Sequence, residues 1–186
     1  AIRELIKRGL VQYVVSTNVD GLHRRSGVPE DCISELHGNS YREYCSNCNK
    51  EYLRGFDTLK TVKNFRSHIT GRKCDACDGD LKDTIIHFGE NLPVKELEAA
   101  VKNAVKANLA LVLGTSMLVN PAAELPCMCL KNKANNANVV IVNLQKTPYD
   151  PYALKIHSKC DEFMLLLMKE LGIEEFDTSF DALDKM

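Results

Sequence analysis

The clearest periodicity in the chain lies at residues 95–107. Leu97, Ala100, Val101, Ala104 and Val105 recur there at i, i+3, i+4, i+7 and i+8, the spacing of one helical face. An unbroken apolar run follows at residues 109–113 and stops at Gly114-Thr115-Ser116. A second such run, Val139-Val140-Ile141-Val142, ends at Asn143. Near the start, Ile2, Leu5 and Ile6 share a face of a helix predicted over residues 2–8, with Gly9 as its stop and a short buried strand at residues 11–16 after it. A further helix is predicted from about Asp161 to Leu171. It leads into an acidic tail (Glu174, Glu175, Asp177, Asp181, Asp184) that reads as solvated chain. Apolar strands alternating with helices predict an α/β fold with a parallel sheet covered on both faces. In such sheets ligands sit beyond the carboxyl ends of the strands. The polar residues after the strands are therefore the first candidates: Thr17, Asn18, Val19 and Asp20; Gly114, Thr115 and Ser116; Asn143, Leu144 and Gln145.

The rhythm breaks at residues 41–80, which are polar, hold no sheet-like apolar run and contain two C-x-x-C pairs. This stretch is expected to be an inserted module. The expected organisation is a discontinuous sheet domain at residues 1–40 and 81–175, a metal module at 41–80 and the tail at 176–186. The length of 186 residues and the 45% apolar content suit a domain that buries a core. A net charge of −1 gives no reason to expect nucleic-acid binding, and no run of 18 apolar residues suggests a membrane span.

Eight cysteines change the picture only through their spacing. A two-residue spacer lets both thiolates of a pair reach one metal. Cys45 and Cys48 with Cys74 and Cys77 then complete a tetrahedral sulfur shell suited to one zinc. All four positions are Cys, so no site is left open and the zinc should be structural. The pattern points to a reducing intracellular compartment rather than a disulfide framework. Cys127 and Cys129 lie in apolar sequence and read as small buried hydrophobes.

The remaining candidates are weaker alone. His37, in Glu35-Leu36-His37-Gly38-Asn39, has a side chain suited to general-base work near neutral pH. On local grounds it is equally a satisfied core or surface histidine. Asn18 and Asp20 are also ordinary turn and cap residues. Gly114 allows close backbone approach, and Thr115 and Ser116 add hydroxyls. No G-x-G-x-x-G or G-x-x-x-x-G-K-[ST] occurs, so spacing alone names no nucleotide.

Taken in order, Asn18-Val19-Asp20-Gly21-Leu22-His23, Glu35-Leu36-His37-Gly38-Asn39, the two C-x-x-C pairs, Phe88-Gly89-Glu90, Gly114-Thr115-Ser116 and Val142-Asn143-Leu144-Gln145 resemble the sirtuins over nearly the whole chain. Arg25-Ser26-Gly27, Thr70-Gly71-Arg72, Asp83-Thr84-Ile85 and Asn143-Leu144-Gln145 resemble the class IV branch, that of sirtuins six and seven. Residues 86–90 and 157–161 look nearer to the sirtuin-seven subgroup.

The resemblance implies a Rossmann-like sheet with a small zinc-ribbon-like insertion, and NAD as cosubstrate. It implies a deacylase that moves the acyl group of a protein lysine to ADP-ribose and releases nicotinamide. His37 matches the general base. Asn18 and Asp20 match residues that hold the nicotinamide ribose and assist cleavage, with Thr17 and Val19 beside them. Gly114, Thr115, Ser116, Asn143, Leu144, Gln145 and Cys160 match the adenosine side. Ile86, His87, Phe88, Gly89 and Glu90 match the strand that pairs with the substrate peptide, a case of strand addition. Acylated lysines, histone tails among them, would be the partners, and the location nuclear. Thr17 departs from the family's Gln; it is shorter and lacks the amide, so a weaker contact to the nicotinamide ribose is expected. The resemblance also places the family's first strand and Gly-rich phosphate loop before residue 1, so an incomplete sheet is expected. Two other functions stay open: mono-ADP-ribosyl transfer at the same site, and a non-catalytic zinc-stapled interaction module.

Overall fold

The computed structural model describes residues 1–131 and 136–174; the predicted tail at 176–186 lies outside the described residues. In chain order the helices are α1 (Ile2–Lys7), α2 (Leu22–Arg25), α3 (Val94–Lys106) and α4 (Cys160–Glu170). The strands are β1 (Val14–Ser16), β2 (Ile33–Glu35), β3 (Arg42–Cys45), β4 (Glu51–Leu53), β5 (Ile69–Lys73), β6 (Asp80–Asp83), β7 (Leu109–Leu113), β8 (Asn138–Val142) and β9 (Leu154–Ile156). The chain divides into two compact units. The described part of one is residues 1–13 with 97–131 and 136–174, and that of the other is residues 14–96. Residues 14–40 and 81–96, which the sequence assigns to the sheet domain, thus group with the cysteine module. No helix among the described residues is long and apolar enough to cross a membrane.

The first unit holds a parallel sheet in the order β7-β8-β9. Burial follows this order. Val139, Ile141 and Val142 on the central strand are buried, whereas β7 buries only Val112 and leaves Leu109 54% exposed. The expectation that both apolar runs are covered on both faces therefore holds for the central strand and fails for β7, which lies at an edge. One apolar cluster joins Val112, Met117, Ala123, Cys129, Val139 and Ile141. Cys129 accordingly behaves as the small buried hydrophobe its context predicts. A second cluster packs Leu5 of α1 against Met164, Met168 and Ile173. Helix α1 stops where Gly9 takes a left-handed φ of 70°. Leu10 N–H then reaches back to Leu5 O, and Gly9 N–H to Ile6 O, satisfying the last carbonyls. Val11 N–H also donates to Leu5 O, so the strand predicted over residues 11–16 begins only at Val14.

The second unit holds two sheets. Strands β1 and β2 pair in parallel, with Ser16 opposite Glu35. The cysteine module is a four-stranded antiparallel sheet, β4-β3-β6-β5, running from Arg42 to Asp83. These strands carry no apolar run because most of their buried positions, Glu43, Thr70 and Asp83 among them, are polar. Glu43 is fully buried and accepts hydrogen bonds from Arg54 Nε (2.7 Å), Arg72 Nε (2.8 Å) and Thr70 Oγ1 (2.7 Å). Burial works against ionisation of Glu43, but these donors together hold its carboxyl below the usual range. Arg72 continues the network to Thr61 Oγ1 and Thr58 O. A charged group and its partners thus occupy the place a hydrophobic core residue would normally fill.

Because Ile141 is fully buried and Leu109 half exposed, truncation should separate them. Ile141→Ala is expected to destabilise the protein by about 2–5 kcal/mol. Leu109→Ala should cost about 1 kcal/mol or less. Urea unfolding of both variants checks this, and equal losses would contradict the central placement of β8.

Candidate functional site

Register explains why the predicted residues converge. Parallel pairing of β1 with β2 makes residues 17–20 and residues 36–37 leave the small sheet at the same end. Leu36 N–H donates to Ser16 O (3.0 Å) and Ser40 N–H to Val19 O (2.8 Å), fastening the two exits together. Asn18 N–H donates to Ser16 Oγ, and Asp20 Oδ1 accepts Leu22 N–H at the start of α2. Thr17, Asn18 and Asp20 are exposed and His37 half-buried, so all four side chains can meet a ligand. His23, just beyond, has its pKa lowered by burial, against an opposing pull from Asp20.

His37 sits on a turn with very little freedom. Gly38 takes a φ of 84°, and its N–H donates to Glu35 O. A Cβ at this position would lie 1.9 Å from Thr84 O, so only glycine fits. Asn39 is buried and spends its whole amide: Nδ2 donates to Glu35 Oε1 (2.7 Å) and Oδ1 accepts Tyr41 N–H (2.8 Å). Its backbone exchanges hydrogen bonds with Thr84 Oγ1 in both directions, each 3.0 Å. Burial raises the Glu35 carboxyl above its ordinary pKa, opposed by Asn39 and by Arg42, whose Nη1 lies 3.4 Å away. Thr84, 45 residues downstream of Asn39, carries this support, and local sequence around His37 gave no sign of it.

Residues 86–90 meet the same turn, since Ile86 N–H donates to His37 O (3.0 Å). Within this chain they pair with no other strand. The chain turns at Phe88 and Gly89, where φ is 92°, and Glu90 N–H closes back onto His87 O. The left-handed glycine is the reason the extended path ends there. Phe88 is 97% exposed at the tip.

The first unit repeats the logic of register. Leu113 pairs with Val142 and Val142 with Ile156, so residues 114–116, 143–145 and 157–160 emerge along one carboxyl edge. Gly114 N–H donates to Val142 O, and a Cβ on Gly114 would come within 3.1 Å of Cys160 Sγ. Thr115 Oγ1 accepts Met117 N–H (3.3 Å), while Ser116, Leu144 and Gln145 stay exposed. Asn143 N–H donates to Ile156 O, and its Nδ2 donates to Gln145 O (3.1 Å). Lys155 Nζ donates to the same carbonyl (2.7 Å), a support that the sequence reading missed. Cys160, at the start of α4, is half-buried, and that burial raises its thiol pKa.

Cys45, Cys48, Cys74 and Cys77 form the one cluster of potential metal ligands among the described residues, with all four Sγ atoms within 4.8 Å of one another. Cys45 and Cys77 stand 3.4 Å apart, and Cys48 and Cys74 3.6 Å. A tetrahedron with Zn–S near 2.3 Å has edges of about 3.8 Å, so the four thiols fit one zinc. Backbone N–H groups of Asn47, Cys48 and Ala76 already point at sulfur, as they do in metal knuckles. Tyr52 O–H lies 3.1 Å from Cys74 Sγ and pulls that thiol down to about 6. Its ring stacks beneath Arg54, and its hydroxyl also meets Asp75. Tyr52 has no motif that would have marked it in advance.

An α/β chain with polar turns at the carboxyl ends of parallel strands and a closed four-cysteine shell is a zinc-stapled, ligand-binding α/β protein. The Sir2 family model matches residues 1–121, and the chain belongs to the Sir2 family. It is 49% identical over 181 residues to the NAD-dependent protein deacetylase sirtuin-7 of Rattus norvegicus, covering 94% of this chain and 44% of that relative. An NAD-dependent protein deacetylase of Thermotoga maritima is 37% identical over 173 residues, 92% of this chain and 66% of that protein. The structure of Sir2Tm bound to a propionylated peptide superposes with a TM-score of 0.72 at 36% identity, covering 93% of this chain and 69% of that one. The chain thus spans less than half the length of the sirtuin-7 relatives it matches.

Structural zinc contributes on the order of 10 kcal/mol to small folds of this kind. Purified protein should carry about one zinc per chain, and Cys45→Ser or Cys74→Ser should release it and unfold the small sheet. Elemental analysis alongside circular dichroism reads both; zinc-free protein with an intact sheet would contradict the assignment.

Proposed function

We propose that the protein to which this chain belongs is an NAD-dependent protein-lysine deacylase. The observation that carries the reading is the placement of His37. It leaves the carboxyl end of β2 beside the exposed Asn18 and Asp20, on a turn that admits only glycine at its next position. Sirtuin-7 and the Thermotoga relative, both NAD-dependent protein deacetylases by name, support it. NAD is a substrate in this scheme. The acyl oxygen of the modified lysine attacks the ribose carbon, and nicotinamide leaves. His37 takes a proton from a ribose hydroxyl, whose oxygen then attacks the acyl carbon, and addition of water frees the lysine. Asn18 and Asp20 hold the ribose. Gly114, Thr115, Ser116, Asn143, Leu144, Gln145 and Cys160 take the adenosine side. Residues 86–90 meet the peptide. Zinc, held by the four cysteines, staples the small sheet and takes no step in the reaction.

Acylated lysines of proteins, histone tails among them, are the substrates we infer, and the nucleus is the location inferred from sirtuin-7. Mono-ADP-ribosyl transfer would use the same residues, and product analysis separates the two. Mass spectrometry of a reaction with acetyl-lysine peptide and NAD should show O-acetyl-ADP-ribose and free nicotinamide. ADP-ribosylated protein without deacetylated peptide would favour the transferase.

General-base assistance contributes about 10²–10⁴-fold to a rate. His37→Ala in the full-length enzyme should therefore lower turnover by a factor in that range while zinc content and melting temperature stay near wild type. A variant that keeps most of its turnover, or loses it only by melting, would show that His37 is not the base.

A further inference from the structure

His68 lies outside every motif of the site, yet it ties the cysteine sheet to residues 86–90. Its Nδ1 is 3.0 Å from Asp83 Oδ1 and its Nε2 is 2.9 Å from Glu90 Oε1. Carboxylates only accept, so both contacts are made at once only when both ring nitrogens carry hydrogen. Asp83 is a firm anchor. It is buried at the end of β6, its N–H donates to His68 O, and its Oδ1 also accepts Ile85 N–H (2.9 Å). Glu90 is the more exposed end, its side chain 34% accessible against 1% for Asp83. Its Oε2 accepts His87 N–H (2.7 Å), so one carboxylate spans the turn that presents Phe88. The His87 ring stacks on His68 at 5.2 Å and meets Phe65 edge-on at 5.1 Å. His68 holds this post in a left-handed backbone conformation, φ 58°, which non-glycine residues seldom adopt.

We propose that His68 is a positioning residue for substrate: through Glu90 it fixes the turn at residues 87–90 in the shape that receives the acyl-lysine peptide. The inference rests on reading residues 86–90 as the peptide-binding segment. Without His68 the Glu90 carboxylate loses its outer partner, the His87 N–H contact loosens, and Phe88 is presented by a mobile turn. Ordering it again on binding would weaken affinity for the peptide.

The link is sensitive to pH. The groups that face His68 are Asp83 of β6 and Glu90 and His87 of the turn; Tyr44 of β3 acts on the same two carboxylates. The Tyr44 hydroxyl is pushed up by burial and then by Asp83 and Glu90. Burial pulls the His68 pKa down, but its contacts with Glu90 and Asp83 outweigh that and hold it above the ordinary value. Glu90 is lowered in return, first by His68 and then by His87 N–H. A raised histidine pKa means that the bridge is complete below the ordinary value of about 6.5 and is lost as pH rises through the raised one.

The test uses zinc-loaded full-length protein and an acetyl-lysine peptide with blocked termini and no histidine, its dissociation constant measured from about pH 6 to 9. Wild-type affinity should weaken as pH rises. His68→Ala should weaken it at about pH 6 by roughly tenfold, the scale of one charge-assisted hydrogen bond. His68→Arg keeps a charged donor at all these pH values, so it should bind near wild-type strength with no pH dependence. Zinc content and melting temperature of both variants provide the fold control, and if His68→Ala unfolds, the wild-type and His68→Arg pH profiles decide. A flat wild-type profile, or undiminished binding by folded His68→Ala, overturns the positioning role alone. Wild-type protein that binds no acetyl-lysine peptide at any pH overturns the reading of the segment and this role with it.

Discussion

The backbone crossing at Gly38 leaves no space for a side chain. Thr84 O stands where a Cβ would be, 1.9 Å from it, and Ile85 Cα is 2.9 Å away. Three things depend on this approach. It sets His37 at the carboxyl end of β2. It lets Asn39 and Thr84 exchange hydrogen bonds across the join. It also brings Ile86 N–H to His37 O, so the segment leaving the cysteine sheet starts from the candidate base itself. One glycine thus fixes the positions of two chemically distinct parts of the site.

What lies behind that crossing is a small sheet without an ordinary apolar core. Leu81, Cys45 and Cys74 form a hydrophobic cluster with Tyr52. The remaining inner positions hold Glu43, Thr70 and Asp83. Buried polar networks stabilise only when every member is satisfied, which makes them rigid and intolerant of partial loss. Glu43 is satisfied by two arginines and a threonine, and Asp83 by a histidine and a backbone N–H. Four cysteines placed to share one zinc would close the other end. Rigidity of this sheet is what allows β6 to deliver Thr84 to the Gly38 crossing at a fixed height.

Much of this was legible from sequence, and the failures share a cause. Helices α3 and α4, strands β7 and β8, and the paired cysteines announce themselves through periodicity or spacing, which are local signals. Strands β3 to β6 do not, because Leu81 is the one aliphatic among their buried positions, the others being Glu43, Cys45, Thr70 and Asp83. The segment at 86–90, a peptide-pairing strand by resemblance, turns at Gly89 in this chain, a conformation with no periodic signal. His68 with Asp83 and Glu90, Thr84 with Asn39, and Lys155 with Gln145 are pairings across 15, 22, 45 and 10 residues that no motif encodes. The chemistry-bearing residues were visible one at a time, while the groups that orient them appear only in the folded chain.

The most direct measurement of that dependence is the turnover of acetyl-lysine peptide, under the proposed activity, by Gly38→Ala in the full-length protein, with zinc content and melting temperature read on the same preparation. Displacing a catalytic group by about 1 Å costs on the order of 10²-fold in rate. The crossing predicts a loss of at least that size in protein that still holds its zinc, since the cysteines lie beyond the perturbed turn. Wild-type turnover in folded, zinc-bearing Gly38→Ala would contradict the role given to the crossing.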